Sequence, residues 1–294
     1  MNYVLLILAT VCSSLKAIIC KGIGENNDRV RSVTFLNANM FAISAITILI
    51  CYANKIKSFF EISSFSFVLA IIFAVFLLFT QITQIFAMSR GFASLSSLIY
   101  SCGFLIPIFF SAIFLNECIS VFQIIGIVIL IFSLTVILPP ERNGKFSFVW
   151  LTFALLSMMG SGANAVIQKI HQNSNFKAEL APFIFYAFLF ASVFSLILSI
   201  TVRNDTDVKN VSFYKKKSAV LLMIFGGAVI GILNVMNLKL AGQLPAIIQF
   251  PVYNICSMIL TALAGRLFFK EQIGKRKLIG FIIGLLAITI IGLL

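Results

Sequence analysis

Charge of one sign is scarce in this chain. There are 9 Asp and Glu in 294 residues, with a single His and a single Trp. The lone His171 and the lack of any C-x-x-C pair leave no motif for a metal site, and no metal or cofactor is expected. No G-x-x-x-x-G-K-[ST] occurs, so a P-loop for ATP is excluded. Glu61, Glu117, Glu179 and Glu271 all read as terminal to spans or in loops, so no membrane carboxylate relay for protons is legible. All charged residues together make up 11% of the chain, against roughly a quarter in a soluble domain.

Apolar residues are abundant instead. They are 61% of the chain, 32 of them Phe, and the mean hydropathy is +1.09. A water-soluble fold cannot hide that much apolar surface. Soluble enzymes, nucleic-acid binders and disordered chains are excluded on this ground. The net charge of +13 therefore does not indicate nucleic acid; the cations lie between apolar runs, where they meet the headgroups of membrane lipids.

Apolar runs long enough to cross a bilayer predict an all-α membrane protein with about ten transmembrane helices. They fall near residues 3–22, 33–54, 65–88, 91–115, 120–138, 147–169, 180–202, 218–239, 242–269 and 277–294. The first run lacks a basic leader and reads as a retained span. Cys12, Cys20, Cys51, Cys102 and Cys256 fall in or beside these runs and read as small hydrophobes, with Cys118 in a short loop.

A repeat divides the chain into 1–138 and 147–294, two halves of one membrane domain. Glu117-Cys118-Ile119-Ser120 and the following Gly126 recur as Glu271-Gln272-Ile273-Gly274 and Gly280, both 154 residues on. Ala17 to Lys21 resemble Ala165 to Lys169 at an offset of 148. Five spans per half is an odd number, so the halves must enter the membrane from opposite sides. That is an inverted repeat, the plan of many secondary transporters.

Ile85 to Ser94 lead into Pro107, and Phe114-Leu115-Asn116-Glu117 close that span. Leu240 to Pro245, then Pro251 and Phe268 to Glu271, repeat the pattern. In these features the chain resembles the drug/metabolite transporter superfamily, in its ten-span EamA-like branch. Ser13 to Lys16 stand where that family often has small residues and a Lys. Val11-Cys12 stand where it often has a Trp. The resemblance implies a carrier of small metabolites and favours helices one, three, four, six, eight and nine as the lining of its pathway. It also implies cytoplasmic termini.

Polar side chains within spans are the candidate substrate-binding residues. Lys16 either snorkels to the headgroups or offers a cation to an anionic substrate group. Gln84, Tyr100, Asn164, Gln249, Tyr253 and Asn254 offer hydrogen bonds and stacking. Several sit in stripes three or four residues apart: Gln81 and Gln84; Ser94, Ser97 and Ser101; Asn164 and Gln168; Gln249 and Tyr253. Such stripes either line a wet cavity or bond neighbouring helices. Pro107, Pro245 and Pro251 are expected to bend spans four and nine. His171 reads as a loop residue with a structural role. Gly227-x-x-x-Gly231 and Gly280-x-x-x-Gly284 permit close helix contact, within the monomer or at a homodimer face.

The expected function is transport of a small polar or amphipathic metabolite, by alternating access and without ATP hydrolysis. A non-transporting scaffold or solute sensor is the alternative, and an intramembrane enzyme has no nucleophile–base pair to work with. The expected location is a bacterial plasma (inner) membrane. Connections after odd-numbered spans hold fifteen Lys and Arg, and those after even-numbered spans hold five. By the positive-inside rule both termini then face outward, against the implication of the resemblance.

Overall fold

The fold is taken from a computed structural model, which describes residues 2–24, 30–90, 96, 99–137, 148–201, 217–269 and 274–293. Ten apolar helices follow one another: α1 (Asn2–Gly24), α2 (Val30–Cys51), α3 (Ser64–Arg90), α4 (Leu105–Phe114), α5 (Val121–Ile137), α6 (Phe148–Asn173), α7 (Leu180–Thr201), α8 (Lys217–Ala241), α9 (Ala246–Phe269) and α10 (Lys275–Leu293). Helix is the form that satisfies backbone amides where lipid offers them no partner. The outer surface is apolar, with Ile50, Ile113, Phe132, Ile200 and Leu221 more than half exposed. That is the surface expected of an integral membrane protein.

The two repeats interleave. α1 packs on α8 and α9, while their counterparts α6 packs on α3 and α4. α2 lies along α7, and α5 lies along α10. The α5–α10 contact fixes their relation. A methyl group on Gly126 would lie 2.6 Å from Ile291 Cγ1, and one on Gly280 would lie 2.5 Å from Ile137 Cγ1. Residues 126 and 280 are 154 apart, as are 137 and 291. The contacts are reciprocal, and low numbers on one helix meet high numbers on the other. The repeat-related helices therefore run antiparallel, as inverted repeats must.

Small residues and hydroxyls let the inner helices approach. Ser44 Oγ donates to the Gly227 carbonyl at 2.7 Å, where a side chain on Gly227 would collide with Ile43. Ser192 and Ser195 of α7 donate to the carbonyls of Ala38 and Thr34 on α2, both at 2.8 Å. Phe41 and Phe188 fill the remaining space, with ring centres 5.8 Å apart.

Three expectations need correction. Pro245 does not bend a span: α9 begins one residue later, and the Pro245 carbonyl accepts from Ile248 N at 3.1 Å and Gln249 N at 3.0 Å. Proline fits a helix start because the donor it lacks has no partner there anyway. Span four is not one uniform helix, since a 3₁₀ turn over Cys102–Phe104 precedes α4. Pro107 falls in the first turn of α4, where its missing N–H is tolerated. The sixth helix runs on to Asn173, which puts His171 inside it and fully buried rather than in a loop. The α2–α3 connection contains a short helix, Ile56–Phe60, because Phe59 tucks into the core.

Candidate functional site

The start of α1 and the end of α10, with the α4–α5, α6–α7 and α8–α9 turns, lie at one face of the bundle, here the terminal face. Its centre is an ion pair that joins the repeats. Lys169 Nζ, near the end of α6, donates to Glu117 Oε1 at 2.8 Å and to the Leu244 carbonyl at 2.7 Å. Glu117 Oε2 accepts from the backbone N–H of Ala246, the first residue of α9, at 2.7 Å. The Lys169 side chain is 2% exposed and that of Glu117 21%.

Local geometry aims the carboxylate inward. Asn116 adopts a left-handed conformation (φ 54°) that ends α4, and Glu117 N then donates to the Ser111 carbonyl at 3.2 Å. Asn is among the few residues that accept this conformation cheaply. Ser120 and Gln123 then cap α5 reciprocally: Ser120 N donates to Gln123 Oε1 at 3.0 Å and Gln123 N to Ser120 Oγ at 3.2 Å. The Glu117-Cys118-Ile119-Ser120 segment is thus a turn that presents Glu117 to the bundle.

The pair corrects two readings. Glu117 does lie in a turn, but its carboxylate is spent inside the protein. Lys169, counted from the sequence among the cations between spans, is enclosed by the protein instead. Its signal was in the sequence, since Lys169 closes one repeated segment and Glu117 opens the other. The counterparts Lys21 and Glu271 carry side chains outside the described residues. His171 belongs to a second polar group nearby. It stacks on Phe183 with ring centres 4.2 Å apart, and its ring nitrogens contact Ser66 Oγ at 3.3 Å and Gln172 Nε2 at 3.0 Å. Ser63 Oγ in turn donates to Glu179 Oε2 at 2.7 Å.

The predicted site residues are spread along the repeat interface. Asn164 of α6 reaches α3, its Nδ2 3.4 Å from Thr80 Oγ1, while its buried Oδ1 has no partner among the described residues. Gln249 of α9 is 1% exposed; its Nε2 donates to the Asn237 carbonyl of α8 at 3.1 Å, and its Oε1 is likewise unpartnered among the described residues. Tyr253 is half-buried against a cluster that includes Leu6 and Ala9 of α1. Asn254 turns its amide onto its own helix, donating to the Phe250 carbonyl at 3.0 Å. Lys16, Gln84 and Tyr100 are half-buried. No hydrogen bond joins any two of Gln84, Tyr100, Asn164, Gln249, Tyr253 and Asn254 among the described residues. Sequence reasoning missed Thr80, whose hydroxyl meets Asn164, and Asn37, whose Nδ2 lies 3.4 Å from Gln81 Oε1.

A cleft of about 370 Å³ opens between α1, α2 and α8, lined among others by Leu5, Thr47, Cys51, Tyr52, Met236 and Lys239. It contains none of the seven predicted residues. Among the described residues no cluster of His, Cys, Asp and Glu could hold a metal ion.

A solved crystal structure of a protein 12% identical in sequence superposes with a TM-score of 0.77, over 99% of this chain and 96% of that one. At that identity it establishes the fold alone. No curated protein matches the sequence. The profile of the EamA-like transporter family matches residues 1–138 and 148–293. Family membership of that extent makes the protein a membrane transporter of the drug/metabolite transporter superfamily: the chain belongs to the EamA-like transporter family.

Proposed function

We propose that the protein is a secondary transporter that moves a small polar or amphipathic metabolite, such as an amino acid or a nucleobase, by alternating access and without ATP hydrolysis. One observation carries this reading. Among the described residues Asn164 Oδ1 and Gln249 Oε1 are buried acceptors with unspent hydrogen-bonding capacity, on helices that each pack against the other repeat, α6 on α3 and α4, and α9 on α1. An unmet buried acceptor costs on the order of 1–3 kcal/mol. Capacity left open there suits a solute or water that comes and goes. Lys16 would supply charge, and Gln84, Tyr100, Tyr253 and Asn254 further polar contacts. The membrane would be a bacterial plasma membrane, and the protein would act as a monomer or homodimer.

The test is uptake and efflux of a metabolite panel in proteoliposomes. Saturable flux of one solute class, reduced by Asn164→Ala, supports the reading. Solute-dependent thermal stabilisation without flux would instead establish a sensor or scaffold.

A further inference from the structure

The Lys169–Glu117 tie crosses between the repeats. Glu117 belongs to the first repeat, and Lys169, Leu244 and Ala246 to the second. Three segments that reach the terminal face on separate helices are held at one point: the end of α6, the α4–α5 turn and the start of α9. No separation of α6 from the other two can occur with these bonds intact. Moving α6 away to open this end must therefore break both Lys169 contacts, of 2.8 and 2.7 Å, while the 2.7 Å contact of Glu117 with Ala246 N keeps the α4–α5 turn on α9.

We infer that Lys169 and Glu117 form the latch that closes the terminal face during the transport cycle, an inference that rests on the transport reading above. The physical reason lies in what water does to such a pair. Enclosed by apolar helices, the two charges attract strongly, because little solvent screens them. Once the end opens, water hydrates both ions and the attraction falls away. The tie is strong only while it is closed, so it favours a shut end or an open one over anything between. A permanent structural staple has no need to sit where flooding dissolves it. Lys169 and Glu117 are positioning residues in this scheme, acting through α9 and the α4–α5 turn.

The experiment is hydrogen–deuterium exchange on the full-length protein, comparing wild type, Lys169→Met, Glu117→Gln, the double variant and Lys169→Arg. Each single neutralisation strands one charge in the closed end. The protein relieves this by opening, so amides of residues 111–120 and 242–249 should exchange faster by on the order of tenfold. Amides of the α2–α7 core should keep their wild-type rates. The double variant strands no charge but has also lost the tie, so it should exchange more slowly than the singles and still faster than wild type, whereas Lys169→Arg should stay close to wild type. Unchanged exchange in the singles, a double variant as slow as wild type, or acceleration spread equally into α2 and α7 would each overturn the latch. If Lys169→Met does not accumulate, Glu117→Gln carries the same comparison. The readout needs no substrate. Flux without the exchange response would remove the latch alone, whereas the response without flux would retire transport and leave a conformational switch.

Discussion

Gly280 presents its bare Cα to Ile137: a methyl group there would lie 2.5 Å from Ile137 Cγ1, 3.0 Å from its backbone nitrogen and 3.1 Å from the Ser133 carbonyl oxygen. Two of those neighbours are backbone and cannot rotate away. Gly280→Val should therefore force α5 and α10 apart and lower stability by about 1–3 kcal/mol. Thermal unfolding in detergent reads this out. Gly274, which meets nothing within 4 Å, is the control, and Gly274→Ala should leave the unfolding temperature unchanged.

Asn116 makes a separate prediction about the turn that aims Glu117. Its left-handed backbone accepts Gly or Asn, whereas a β-branched residue pays about 1–2 kcal/mol there. Asn116→Gly should keep wild-type stability, and Asn116→Val should lose it by that amount. Equal unfolding temperatures for the two variants would show that the turn does not depend on this conformation.

These two sites also show how much was readable from sequence. The ten helices and their pairing into repeats were legible because lipid forces helix and because the 154-residue offset survives in Glu117/Glu271 and Gly126/Gly280. The stripe argument placed Asn164 and Gln249 inside the protein because an amide in a span must face protein or water. Partners were not legible. Asn164 meets Thr80, 84 residues away, and hydroxyls are too common in spans for one to stand out. Lys169 was hidden by its position near a helix end, where a lysine ordinarily reaches for headgroups. Only the left-handed Asn116, which periodicity cannot reveal, turns Glu117 back to meet it. Pro245 misled because a proline that starts a helix and one that bends it look alike without the chain's path.

Flux should depend on the two unsatisfied amides. Asn164→Ala and Gln249→Ala each remove a buried acceptor that has no partner among the described residues, so neither variant leaves a new unmet group on the oxygen side. Membrane abundance should remain near wild type, while flux of the transported solute falls. Asn254→Ala should matter less, since the Asn254 amide already bonds to the Phe250 carbonyl. Flux unchanged in Asn164→Ala would take that residue out of the pathway.

Proton coupling is not expected. Glu117 is held by Lys169 and by the Ala246 amide, and Glu179 accepts from Ser63, so neither carboxylate is idle at the terminal face. Transport should run as facilitated diffusion or exchange, with little response to an imposed pH gradient in proteoliposomes. Uphill flux that follows the gradient steeply and survives Lys16→Ala would contradict this.

The charge count predicts orientation, and the buried ion pair sharpens it. Of the five cations assigned to connections after even-numbered spans, Lys169 is enclosed and neutralised by Glu117, which leaves Lys55, Lys57, Lys177 and Lys239 to meet headgroups. The opposite connections hold fifteen. Short loops rich in Lys and Arg stay in the cytoplasm, so the terminal face should lie outside, contrary to what family resemblance implies. A reporter fused after Leu294 that is active only outside the cytoplasm should report activity. Moving cations to the terminal face, for example by placing three Lys codons ahead of Asn2, should reduce that activity. A silent external reporter together with a fluorescent cytoplasmic one would show that the family's orientation prevails over the loop charges.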